Sequence, residues 1–468
     1  MQRRSSPSLP LTLVLFLGCY LATRANRVYV HPFYLFAGEN VTCETLQAEA
    51  AKPLQTLALA PLVADVLTPD ARDPAAKDAP RQNMTQRAPV LAALLNALGL
   101  RMYMAHSTKQ GAGNMLLSPI NTYGSLFAFF LGASKKTASS YQILLGVNRV
   151  TDQPDCVSLV DGHTVLKTLQ SINSLVDDGP KDEIVTQVWT FAAQGAQLSE
   201  DFLQGVQDFS DASFTRAVNF SQTQEAQELV NSFVERTADG KEKVKDAFKD
   251  LSPGANLLFM SSFVFKGNWK TAFQPERTSM QEFNVDDNTT VMVPMMTHTG
   301  PFYYFKDVVK RCTVVKLALS KRSYMMLVLP NKGIKLRDIE GKLHTDVMAN
   351  WHQALQEGQL ELSLPKFSMS SMTDLRELLA NMAAEVDDRL LGSEAEFDRL
   401  SSSKPFTIDK VLNKVQFEMS EEGAEDQDKN QEAGVPIKLT INRPFFFSIT
   451  EGHSNAILML GKITNPSL

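Results

Sequence analysis

The chain has 468 residues, 44% of them hydrophobic, and a formal net charge of −6. That balance argues against nucleic acid or another polyanion as the main partner, since such ligands are held by clustered Lys and Arg. A chain of this length can enclose a large core, and no linker divides it after residue 90.

Arg3 and Arg4 precede LPLTLVLFLGCYLA, Leu9 to Ala22. This run is too short to cross a bilayer and matches the core of a signal peptide. Residues 1–25 are therefore read as a signal peptide, and a secreted, extracellular protein beginning at Asn26 is expected. No later window keeps the uninterrupted apolar length of a membrane helix, so no membrane insertion is expected. Four Asn-x-Ser/Thr triplets, at Asn40, Asn83, Asn219 and Asn288, become candidate glycosylation sites in that setting.

Cys19 leaves with the signal peptide, and Cys43, Cys156 and Cys312 remain. Three thiols allow at most one internal pair. Cys312 lies in the β-branched run RCTVVKLAL, whereas Cys43 and Cys156 sit in polar, loop-like surroundings. A Cys43–Cys156 disulfide is expected, with Cys312 a small core residue.

From Glu44 to Pro89 prolines recur too often for long helices or sheet ladders, which suggests an extended tail or a few short turns lying on the body. Helical spacing follows in VLAALLNALGLRMYMAHS, INTYGSLFAFFLGA and TASSYQILLG. EIVTQVWTFAA, NLLFMSSFVFKGNW, TTVMVPMM, TVVKLALS, SYMMLVLP and LELSLPKFSM read as strands. Helices mostly first and strands mostly later predict an α+β fold with large antiparallel sheets.

Enzyme signatures are missing. There is no GxSxG, HExxH, Walker-A or CxxC motif, and the seven histidines show no ligand spacing; His106, His163 and His453 read as surface or satisfied polar residues. No catalytic residue, cofactor or metal is expected.

Several segments, in order, resemble the serpin family: NMLLSPINTYGSLFAFFLGASKKTASSYQILLG, LLFMSSFVFKGNWKTAF, FNVDDNTTVMVPMM, YMMLVLPNKG, LSLPKFSM and INRPFFFSITEGHSNAILMLGKITNP. The resemblance implies a serpin domain over residues 90–468, with Trp269 in the core at the top of a sheet. In inhibitory members a small-residue hinge lets the cleaved reactive loop insert as a strand. Here the matching loop, about 421–438, carries EEGAEDQDKNQEAGVP, Glu421 to Pro436. Strand periodicity would bury Asp426 and Asp428 in one register, Glu425 and Lys429 in the other, at a cost of several kcal/mol per ion. A non-inhibitory serpin is expected; an inhibitor of a serine protease is the alternative. A carrier of small hormones would need an apolar surface pocket that a sequence cannot reveal.

Residues 26–33, NRVYVHPF, and 26–35, NRVYVHPFYL, resemble the angiotensin peptide hormones. That resemblance implies release of residues 26–35 by renin, an aspartic protease, between Leu35 and Phe36. Converting enzyme would then cut between Phe33 and Tyr34. The product would regulate blood pressure, vasoconstriction and salt balance through an angiotensin receptor contacted by Arg27, Tyr29, His31 and Phe33. Asn26, Tyr34 and Phe36 depart from the mammalian forms and imply a non-mammalian type. His31 to Phe36 is expected to be extended and reachable, with residues 36–89 forming the tail. In this family the Cys43–Cys156 bridge would modulate access of renin.

Overall fold

The computed structural model describes residues 35–36, 53–72, 84–111, 113–148, 160–176, 183–319, 322–382, 389–403, 406–425 and 435–468. Their helices are α1 (Met84–Gln110), α2 (Pro119–Gly132), α3 (Lys135–Leu145), α4 (Gly162–Val176), α5 (Glu200–Phe209), α6 (Thr223–Thr237), α7 (Leu336–Glu340), α8 (Thr345–Ala354) and α9 (Leu375–Asn381). Helix α2 is mostly apolar and buried along its whole length, as expected of a central helix, with its polar Asn121, Thr122 and Ser125 hydrogen-bonded inside. Ser118 caps its start by accepting from Asn121 N, and Pro119 takes the first-turn position where a missing N–H costs nothing.

The strands are β1 (Thr56–Ala58), β2 (Met115–Leu117), β3 (Glu183–Ala193), β4 (Gln197–Ser199), β5 (Ala212–Val218), β6 (Leu257–Thr271), β7 (Ser279–Asn284), β8 (Thr290–Asp307), β9 (Cys312–Ala318), β10 (Ser323–Pro330), β11 (Gln356–Pro365), β12 (Met369–Asp374), β13 (Lys410–Glu425), β14 (Ile437–Thr440), β15 (Phe445–Glu451) and β16 (Ile457–Ile463). They form a five-stranded sheet, β12-β13-β6-β3-β5, and a larger sheet along β14-β11-β8-β9-β10-β15-β16-β2 with β7 on β8. Most pairings are antiparallel; β13–β6, β3–β5 and β11–β14 are parallel. FFFSITE and ILMLGKI are buried at every residue, which is why they lack polar alternation.

The first three helices and β3, β6, β8, β9, β10, β11, β15 and β16 fall where the sequence places them, whereas β1, β2, β4, β5, β7, β13, β14 and helices α7, α8 and α9 are not among the elements it predicts. Helices α4, α5 and α6 had not been anticipated, although Val165, Leu169, Ile172 and Val176 carry helical spacing in α4. Helix α1 starts at Met84 and contains Pro89, so the boundary expected at residue 90 falls inside a helix. It also supplies Gln86–Lys109, one segment long and apolar enough to cross a membrane; half of it is buried against the body, the signature of a core helix.

Trp269 and Cys312 are core residues as expected, 3% and 0% exposed. The Cys312 thiol is free, and burial, with Asp307 nearby, pushes its pKa up to about 12, far from a reactive thiolate. Among the described tail residues, 53–72 run largely extended along the body, while Phe36 and residues from Met84 onward are helical. β1 pairs with β4, Leu62 N donates to Ala217 O at 2.9 Å, and Arg216 holds Asp70 at 2.5 Å.

β13 lies directly on β6 from Lys410 to Glu425, with a register shift between Ser420 and Gly423. The hinge read from Glu421 onward thus begins inside a strand, and β14 occupies Ile437–Thr440 at the loop's other end. On one face Ser261 donates to Asn413 Oδ1 at 2.8 Å and Asn413 donates to Thr122 of α2. On the other, Glu418 accepts from Lys241 N at 2.6 Å. These bonds tie the β6–β13 seam to both neighbouring layers.

Candidate protease-cleavage site

Leu35 and Phe36, the residues flanking the expected scissile bond, have helical backbone. Phe36 is 1% exposed and belongs to the main core, with Leu35 packed against it. The Leu35 carbonyl accepts from Arg87 Nε at 3.0 Å, and the Phe36 carbonyl accepts from Asp161 N at 2.6 Å. The expectation of an extended, reachable segment therefore fails at this bond. An apolar ring and two backbone acceptors are better satisfied by docking than by water.

Both partners sit at helix starts. Arg87 lies in the first turn of α1, within residues the sequence reading had assigned to the tail. Asp161 precedes α4 and caps it: its carboxylate accepts from Thr164 N at 3.1 Å and Thr164 Oγ1 at 2.6 Å. Gly162 lets this turn lie on α2, since an added Cβ would stand 2.6 Å from Leu131 Cδ2. His163, in the same turn, meets Asp208 at 2.7 Å and Asp201 at 3.9 Å. Burial disfavours its charge, but hydrogen bonds to the two carboxylates outweigh that and raise its pKa to about 9. His163 is thus a satisfied polar residue, a cationic pin between α4 and α5.

As it stands, the arrangement withholds the bond. Aspartic proteases take extended substrate, whereas the Leu35 carbonyl, which cleavage at the expected bond would attack, is hydrogen-bonded in a helical turn. Arg87 and Asp161 carried no sequence signal, because each is identified only by a backbone carbonyl brought to it by the fold.

Among the other expected site residues, Asn219 and Asn288 are exposed. Asn219 Oδ1 accepts from the hydroxyl of its own triplet's Ser221 at 2.6 Å. Arg27, Tyr29, His31, Phe33, Tyr34, Asn40, Cys43, Asn83 and Cys156 lie outside the described residues. Phe36 stands seven residues before Cys43 in the sequence, and Asp161 five residues after Cys156.

The serpin (serine protease inhibitor) family profile matches residues 93–466. The chain belongs to the serpin family. Over 479 aligned positions, 98% of this chain and 98% of the relative, it is 29% identical to angiotensinogen of Homo sapiens. Bovine Serpin A3-1 is 30% identical over 377 positions, 78% of this chain and 87% of the relative, which leaves more than a fifth of this chain outside. The fold also matches the crystal structure of mouse protein-Z dependent protease inhibitor, with a TM-score of 0.72 and 22% identity over 83% of this chain and 100% of that one.

Proposed function

We propose that the chain is the secreted precursor of an angiotensin-type hormone, cut by renin between Leu35 and Phe36 to release residues 26–35. Converting enzyme trims that product to 26–33, which acts on blood pressure and salt balance through its receptor. The serpin body neither inhibits nor catalyses; it stores the scissile bond. The observation that carries this reading is the similarity to angiotensinogen over 98% of both chains, which reaches into the N-terminal segment beyond the serpin domain. The docked Leu35–Phe36 bond adds a control: the protease must capture an undocked form, and a bridge between Cys43, seven residues after Phe36 in the sequence, and Cys156, five before Asp161, would bias that opening. Exposed Asn219 and Asn288 suit glycans on a secreted protein.

Incubating the full chain with same-species renin, followed by mass spectrometry, tests the reading. Release of residues 26–35 is expected, and cleavage elsewhere or none at all overturns it. Similarity to a protease inhibitor favours one alternative, an inhibitory serpin. That alternative requires a detergent-resistant complex with a serine protease and a large rise in melting temperature on loop cleavage. The charged loop predicts neither.

A further inference from the structure

A cavity of about 670 Å³ opens where the end of α4 meets β9, β10, α8 and the turn between β15 and β16. Its described walls carry Lys270, Lys316, Arg322, His352 and His453, and no carboxylate. In a chain of net charge −6 this is a local reversal of sign.

Two of these groups carry the cost of that reversal. Lys316 Nζ lies 4.2 Å from the centroid of the Tyr324 ring, with no ion pair among the described residues. Burial alone pulls its pKa down. His352 packs on the same tyrosine, ring centroids 5.3 Å apart, and its Nδ1 is buried without a hydrogen-bond partner. Burial and the Lys316 charge lower its pKa in turn.

Glu451, the last residue of β15, is taken up by the adjoining turn rather than by this charge. It is fully buried and accepts from His453 N, Ser454 N and Ser454 Oγ at 2.8, 2.6 and 2.5 Å. Arg322 reaches the Leu175 carbonyl at 3.4 Å. An ammonium and an imidazole desolvated beside each other destabilise the fold, and such conflicts persist where a ligand relieves them.

We propose that this cavity binds a compact polyanion with two or more phosphate or sulfate groups, held by Lys270 and Lys316, with His352 donating beside them. The volume falls within the roughly 300–1,000 Å³ of small-molecule sites, and the cationic lining suits an anion better than the apolar ligand that a hormone carrier would need. An anion there would pair the ammonium groups and satisfy the orphan imidazole nitrogen together. This site lies apart from the Leu35–Phe36 bond and stands whether or not that bond is cleaved.

The test is titration calorimetry on the full chain with inositol hexakisphosphate in one arm and sucrose octasulfate in the other, in physiological salt. Saturable one-site binding is expected, and the tighter arm distinguishes a phosphate from a sulfate ligand. Lys270→Met with Lys316→Met keeps the apolar stems, removes both charges, and should weaken binding at least tenfold. Exposed Lys332→Met, at the far end of β10, should leave it unchanged. Without ligand, Lys316→Met should melt higher than the parent, because it deletes an uncompensated charge. Absence of saturable binding by either probe overturns the proposal, as does equal affinity in the double variant or a Lys316→Met variant that melts lower and binds as the parent does.

Discussion

Removing the Arg87 guanidinium should make the intact protein a better protease substrate. Burying a Phe side chain is worth about 1.5–3 kcal/mol and each hydrogen bond about 0.5–1.5 kcal/mol. Against this, an undocked segment regains about 1–2 kcal/mol of backbone freedom per residue. With two residues released, the Phe36 ring and its two carbonyl bonds therefore hold the bond by about 1–2 kcal/mol net, an undocked fraction on the order of 10⁻¹. If renin binds only the undocked form, its apparent affinity falls by that same factor. Arg87 is half-buried, so its bond to Leu35 is taken as about 1 kcal/mol, and Arg87→Ala should raise kcat/KM about fivefold. The assay is the initial rate of release of residues 26–35 below KM, with a synthetic peptide of residues 26–40 as control. The peptide lacks Arg87 and should be cut about tenfold faster than the protein. Equal rates for parent and Arg87→Ala, or equal rates for peptide and protein, would refute the docking control.

Other expectations concern the neighbourhood of that bond. The folded pKa of His163 is raised to about 9, above an unfolded value near 6.5, so its stabilisation is complete below about pH 6.5 and lost as pH rises through about 9. The gap in unfolding free energy between parent and His163→Gln should reach at most about 3 kcal/mol at pH 6 and close by pH 10; a gap constant with pH would sink this account. Peptide mapping without reduction should find Cys43 joined to Cys156. Reduction should then alter the rate of release from the protein but not from the free peptide, and identical rates before and after would remove any regulatory role from the bridge.

Chain segments that must be buried whatever their neighbours were legible from sequence. FFFSITE and ILMLGKI have the apolar density of interior strands, and INTYGSLFAFFLGA the apolar spacing of a helix, and the structure bears both out. Trp269 and Cys312 followed from the same composition. The state of the scissile bond was not legible, since it depends on a side chain 52 residues away and on the backbone N–H that opens α4. A carbonyl acceptor leaves no trace in residue type. The start of α1 was misplaced because Pro89 reads as a boundary, and the turn it hid contains Arg87, the residue that fastens Leu35. The cationic cavity was invisible for a related reason: its five basic groups come from five separate stretches of chain.

The two ends of the N-terminal extension are held by unequal means, and that inequality decides what a protease can reach. Residues 53–72 are fixed by the β1–β4 ladder, by backbone bonds to Ala217 and Ser213, and by the Asp70–Arg216 pair, itself braced by Arg216 donating to Thr68 O at 2.7 Å. Leu35 and Phe36 have one ring and two hydrogen bonds. Local opening free energies follow such differences, so the segment around the bond should detach at a small fraction of the global unfolding cost while the tail behind it stays in place. If the proposed cleavage holds, a chain built this way would offer the Leu35–Phe36 bond without exposing the rest of its core. Deuterium exchange gives the check: protection at Phe36 should be lost well before protection at Leu62 and Asp70, and simultaneous exchange at all three would mean that the extension leaves as one unit.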